Sequence, residues 1–169
     1  MNCEKNSKTK LFSVYLKCVD RDTLMTAATK AGADVKREDK KFTGDIYLTS
    51  KILKGSSELF INYINSSFAQ AQYTFPSRMD SEQVTQVKNF VANKYGKPNY
   101  AKGNASLGEV IYKWTLEDGI ELKVHRGWKT NTTYLTYNYV EKNQIIIAKR
   151  AEQKKVQEAK QYEIEGNAF

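Results

Sequence analysis

Polar and apolar residues alternate along residues 11–18. Phe12, Val14, Leu16 and Cys18 fall on one side, Tyr15 and Lys17 on the other. That pattern predicts a half-buried strand. After Asp20 the period changes to a helical one: Leu24, Ala27, Ala28 and Ala31 recur at i, i+3, i+4, i+7. Asp20 or Asp22 offers an N-cap, and Gly32 stands where a helix stops. Residues 34–43 read as a charged loop. Strand-like runs follow at 44–50, 58–64 and 68–75, with Lys54-Gly55-Ser56-Ser57 and Asn65-Ser66-Ser67 as turns between them.

The same order then recurs. Asp80 with Gln83 resembles a capping box, Val84, Val87, Val91 and Tyr95 form one helical stripe, and Gly96 with Pro98 ends it. A Gly/Asn-rich loop leads to runs at 109–115, 120–125 and 133–140. Glu117-Asp118-Gly119 is a tight-hairpin signal, and Asn131-Thr132-Thr133 takes the place of Asn65-Ser66-Ser67. The order predicted is β-α-β-β-β-α-β-β-β, with residues 68–75 shared between the copies. The fold class expected is α+β: an internally duplicated β-α-β-β-β unit, residues 11–75 and 68–140, in one domain over 11–140. Its antiparallel sheet should hold about six or seven strands, with the two helices on one face.

Residues 1–10 are polar and expected to be flexible. Residues 141–169 form a charged C-terminal helix and tail. Ile145-Ile146-Ile147-Ala148 can anchor it, but beyond that Ala151, Val156, Ala159 and Tyr162 make only a thin apolar stripe. A helix this polar lies loosely on the domain or projects as a partner-binding arm.

Composition narrows little. The 40% hydrophobic and 27% charged residues are ordinary for a globular chain. No apolar run is long enough to span a bilayer, and no signal-peptide pattern is present. The net charge of +8 suits an acidic partner, yet the lysines are spread along the chain, whereas a nucleic-acid site concentrates them on one face. Two cysteines make no disulfide scaffold. Cys18 reads as a small buried apolar residue. Cys3, followed by the polar stretch Glu4 to Lys10, resembles the mature start of a bacterial lipoprotein and is a candidate lipid-attachment site. The alternative is an exposed terminal cysteine without a role.

No constellation supports catalysis, a metal or a cofactor. His125 is the only histidine and sits on the polar alternation Glu121, Lys123, His125, which predicts an exposed strand residue. Residues 94–99 with Lys102-Gly103-Asn104 lack the spacing of a phosphate-binding loop and follow a helix instead of preceding one. A non-enzymatic protein is expected. The surplus is aromatic, with 11 tyrosines. Alternation puts Tyr15 on the face the helices leave open, and Arg126-Gly127-Trp128-Lys129 interrupts a strand run. Tyr15, Arg126 and Trp128 are therefore the candidate partner-binding residues, because exposed aromatics and arginine suit protein interfaces. The alternative places the tyrosines beneath the C-terminal helix.

Lys94-Tyr95-Gly96-Lys97-Pro98 after the second helix, then Trp114 on the next strand, resembles small bacterial envelope modules of the SmpA/OmlA lipoprotein kind and the repeats of β-lactamase inhibitor proteins. The resemblance covers residues 11–140. It implies a non-enzymatic protein that works through a surface, in the periplasm or anchored to the envelope, and it transfers no functional residues. The expected function is binding of a protein partner through the open aromatic sheet face. The alternative is nucleic-acid binding by a basic, tyrosine-rich face.

Overall fold

A computed structural model describes residues 6–38, 44–78, 80–127 and 131–168. The chain is α+β. Its strands are β1 (Lys10–Leu11), β2 (Val14–Tyr15), β3 (Asp34–Arg37), β4 (Gly44–Leu48), β5 (Glu58–Ile64), β6 (Ser67–Phe75), β7 (Tyr100–Gly103), β8 (Val110–Thr115), β9 (Ile120–Arg126) and β10 (Thr133–Tyr139). The helices are α1 (Arg21–Lys30), α2 (Glu82–Tyr95) and α3 (Val140–Gly166). β3 to β10 form one eight-stranded antiparallel sheet in the order β3-β4-β5-β6-β10-β9-β8-β7.

That order mirrors itself about the β6–β10 pair. On each side the strands run outward in reverse chain order, and a helix precedes each set of four. The repeating unit is therefore α-β-β-β-β, and no strand is shared between the copies. Two expectations are corrected. The strands opening each set, β3 and β7, stand where the sequence predicts loops, because they are short, fully exposed and carry no apolar alternation. Residues 11–18 do not join the large sheet. They form the β1–β2 hairpin and a short 3₁₀ turn over Leu16–Cys18. Phe12 and Ser13 hold φ of 49° and 67°, which folds the run back on itself. Of the side expected to be buried, only Leu16 lies in the core; Phe12 and Val14 are half-buried against it, Cys18 is exposed, and Leu11, on the opposite parity, is buried instead.

α1 starts where Asp20 accepts a hydrogen bond from the Thr23 N–H at 2.8 Å. α2 starts where Asp80 accepts from the Gln83 N–H at 3.1 Å. The two helices bury Leu24, Ala28, Val84, Val87 and Val91 in one cluster with Leu59, Ile61, Tyr73, Leu122, Val124 and Leu135 of the sheet. Both therefore cover the same face. Trp114, 1% exposed, donates its indole N–H to the Gly96 carbonyl at 2.8 Å and ties the end of α2 to β8.

Two buried carboxylates fix the periphery of this core. Asp118, in the β8–β9 turn, accepts from the Lys8 and Thr9 N–H groups at 2.8 and 2.7 Å and from the Thr9 hydroxyl at 3.1 Å. It thereby pins the N-terminal segment to the second unit. Asp45 on β4 receives Arg21 in two hydrogen bonds, Nε at 2.9 Å and Nη2 at 2.7 Å.

Asn62 pairs with Gln70 and Tyr63 with Phe68, so Ala69 is an extra residue in β6. This bulge turns Ala69 away from the helix-covered core, and it meets Ile64 and Ile146 of α3 instead. Ile146 is the buried residue of α3. Residues 147–166 are all exposed, so the helix projects roughly 30 Å beyond its anchor.

Candidate functional site

The face opposite α1 and α2 is built from alternate residues of seven strands in continuous cross-strand rows. One row reads Ile46, Phe60, Gln72, Thr136, Lys123, Lys113, Tyr100. The next reads Leu48, Glu58, Thr74, Tyr134, His125, Ile111, Lys102. Most of these side chains are half-buried; Leu48 and Tyr100 are 42% and 47% exposed. The first turns of α3 cover only the corner where Ile64 and Ala69 lie, so the middle of the face stays open.

The two wings differ. On β4 and β5 the surface is apolar, with Ile46, Leu48 and Phe60, and Glu58 pairs with Lys36. On β7 to β9 it carries Lys102, Lys113 and Lys123 against Glu121. Lys113 stands between the Glu121 carboxylate, 3.9 Å away, and the Tyr100 ring, 5.9 Å from its centroid. His125 stacks on Tyr134 with centroids 6.3 Å apart and places Nε2 3.4 Å from Glu109. In the centre Gln72 donates to the Thr136 hydroxyl at 3.2 Å. The arrangement offers a side-chain carpet for contact. It holds no nucleophile–base pair, and no cluster of three metal-ligating side chains occurs among the described residues.

The sequence-predicted site residues do not assemble here. Tyr15 is half-buried on the β1–β2 hairpin, beneath the Lys10 ammonium at 4.3 Å, and not on the large sheet. Arg126 is 7% exposed and pairs in register with Val110 and Thr133, which are buried on the helix-covered side. Its Nη1 donates to the Ala105 carbonyl at 2.8 Å, its Nε has no hydrogen-bond partner, and no carboxylate pairs with it among the described residues. It holds a loop from within and is not an exposed contact. Trp128 and Cys3 lie outside the described residues. Cys18 is exposed, not buried, and its sulfur is in a disulfide. The residues that do form the open face, Phe60, Lys113, Lys123 and Tyr134 among them, follow from strict alternation within 58–64, 109–115, 120–125 and 133–140.

The helix-covered side holds the strongly perturbed groups. Burial, reinforced by the charge of Asp45, pushes the Tyr47 phenol up to about 12, and burial raises Tyr63 further. The hydrogen bond to Asp45 holds Arg21 firmly protonated. Tyr73 and Tyr137 are also raised by burial. A cavity of about 300 Å³ lies over Tyr73, Tyr137 and Leu135, between the β1–β2 hairpin, residues 52–53 and α2. A second, of about 490 Å³, continues along α2 and shares Leu53 and Phe90 with the first.

Comparison with known proteins adds little to this geometry. No family model matches the chain, and no curated protein matches it. The chain is similar to the crystal structure of a DUF4309 family protein (YjgB) from Bacillus subtilis, with a TM-score of 0.47 and 11% identity over 80% of this chain and 89% of that one. Similarity at that level supports no inference about function.

Proposed function

We propose that the chain is a non-enzymatic binding module that holds a protein partner on its open sheet face. The observation that carries this reading is the pair of cross-strand rows. They run from an apolar wing through a central strip of amides and hydroxyls to a lysine wing without an interruption in register. Half-buried aromatic and aliphatic side chains supply desolvated area, and polar neighbours supply orientation, which is the composition of a specific protein interface. The lysine wing selects an acidic surface on the partner. A nucleic-acid site draws cations together along the surface it presents, whereas here three lysines share the face with an apolar β4–β5 wing whose carboxylate, Glu58, is paired with Lys36.

A photo-crosslinking residue at Phe60 or Tyr134, in cells of the source, should yield a discrete protein adduct that resists nuclease. After reconstitution with the identified partner, Lys113→Glu with Lys123→Glu should weaken binding more than tenfold without changing the melting temperature. Adducts that vanish on nuclease treatment, or an affinity unmoved by the double reversal, refute the reading. The resemblance to envelope lipoprotein modules supports an extracytoplasmic setting, with a lipid on Cys3 as its anchor. Cys3 is the chain's other cysteine, so an intrachain bridge to the disulfide-bonded Cys18 and a lipid thioether on Cys3 exclude each other. The mass of the native protein, read without reductant, therefore decides between them.

A further inference from the structure

The cavity beside α2 has a one-sided chemistry. Its walls are aliphatic and aromatic, and every polar side chain lining it is a phenol or an ammonium: Tyr73, Tyr95, Tyr137, Lys10 and Lys94. Neither a carboxylate nor an amide side chain lines it. The Tyr95 hydroxyl is sealed from solvent without a hydrogen-bond partner. Tyr73 and Tyr137, 5% and 6% exposed, make no hydrogen bond through their hydroxyls among the described residues. Buried hydroxyls without acceptors are destabilising, and native proteins keep few of them. Tyr95 contributes one such hydroxyl beside this void, while the unpartnered hydroxyls of Tyr73 and Tyr137 are not sealed from solvent and stand as free donors.

Lys94 rests 5.2 Å from the Tyr95 ring, and Lys10 rests over Tyr15 on the hairpin at the opposite wall. Phe12, which faces the same cavity, is held at φ 49°, a left-handed conformation that is costly for a bulky residue. Such strain concentrates at ligand clamps. Leu53 and Phe90 also line the adjoining cavity, where Phe75 and Val87 supply the apolar wall and Lys54, Arg78, Gln83 and Gln86 its polar rim. The volumes of about 300 and 490 Å³ fall in the range of small-molecule sites.

We infer that this cavity is a binding site for a single-chain alkyl carboxylate of the fatty-acid class. The carboxylate takes the phenol and lysine donors. The alkyl chain runs along Leu53 and Phe90 into the second cavity. An acceptor-bearing head answers the unpartnered hydroxyls of Tyr73 and Tyr137, a negative charge answers the two lysines, and a flexible apolar tail suits the walls of Leu53, Phe90, Phe75 and Val87. This site is on the opposite face from the proposed protein interface and does not depend on it.

Isothermal titration of the whole chain with octanoate, decanoate and dodecanoate, each below its micelle threshold, tests the assignment. One site should saturate, with affinity rising roughly tenfold for each two methylenes. Dodecyltrimethylammonium, which has the same tail and the opposite charge, should bind at least tenfold more weakly than dodecanoate. Lys94→Glu, at an exposed position, should cost at least tenfold in dodecanoate affinity. Tyr95→Phe should weaken dodecanoate while leaving or raising the melting temperature, since it removes an unpaired hydroxyl. Absence of saturable binding, equal affinity for the cationic amphiphile, or an unaffected Lys94→Glu variant overturns the assignment. So does retention only by phosphatidylglycerol vesicles without fatty acid, which would make the groove a membrane contact.

Discussion

Replacing Asp118 by asparagine tests how the N-terminal segment is held. One carboxylate oxygen accepts from two backbone N–H groups, Lys8 and Thr9, and the other accepts from the Thr9 hydroxyl and, at 3.3 Å, the Ile120 N–H. Whichever way an asparagine amide sits, its NH₂ group confronts donors. Hydrogen bonds to a charged group contribute about 1.5–3 kcal/mol each, so loss of the paired backbone contacts should cost roughly 3 kcal/mol. For a chain of this size that lowers the melting temperature by about 6–12 °C. Burial by itself would raise the Asp118 pKa, but the hydrogen bonds from Lys8, Thr9 and Ile120 outweigh it and the net shift is downward. A carboxylate whose pKa is depressed by folding stabilises above its unfolded value, near 4, and loses that contribution as pH falls through the folded value. Calorimetric melts should therefore separate parent and Asp118→Asn widely at pH 7 and by progressively less as pH falls below about 4. Hydrogen exchange at the Lys8 and Thr9 amides should accelerate in the variant at neutral pH. A difference below about 3 °C at pH 7, or one that is the same at pH 3, would refute the clamp.

Three further outcomes follow from the core and from α3. Arg21→Met removes the guanidinium from fully buried Asp45 and should cost about 3–5 kcal/mol by urea titration, while Arg21→Met with Asp45→Leu should recover most of it; a double variant no better than the single one rules out the charge argument. Val87→Asp, at a position 7% exposed, buries a charge and should cost several kcal/mol; a melt within about 2 °C of the parent would show that this helix face is not buried. Truncation after residue 147 removes a segment whose described residues, 148–168, are all exposed and should shift the melting temperature by less than about 2 °C; a fall beyond 5 °C means the projecting helix packs on something in solution.

The duplication was legible because both copies repeat the same period changes: α1 and α2 carry clean apolar stripes, and β5, β6, β9 and β10 alternate between turn signals. What escaped was whatever depends on chain direction and pairing. The hairpin at Phe12 and Ser13 has no glycine, asparagine or proline to announce it, so an alternating run passed for one straight strand. β3 and β7 gain their strand character from a neighbour's hydrogen bonds, not from their own residues. Arg126 looked exposed because arginine usually is, and only the register with Val110 and Thr133 places it inside. Asp118 was correctly set in a tight turn but was given no further task, since its partners Lys8 and Thr9 lie more than a hundred residues away.

The outermost strands have a consequence for assembly. β3 and β7 are four residues each and wholly exposed. β3 is interrupted by a bulge at Val35 and Arg37 and flanked by the Lys51–Asp34 ion pair at 2.8 Å. β7 ends at Gly103, where a built Cβ would stand 2.1 Å from the Glu109 carbonyl oxygen. A neighbouring molecule that tried to lengthen the sheet would find a short, bent, charged margin on one side and an abrupt stop on the other. Eight strands is thus a terminus and not a growing lattice. Copies of this chain are poorly equipped to add edge to edge into a fibre.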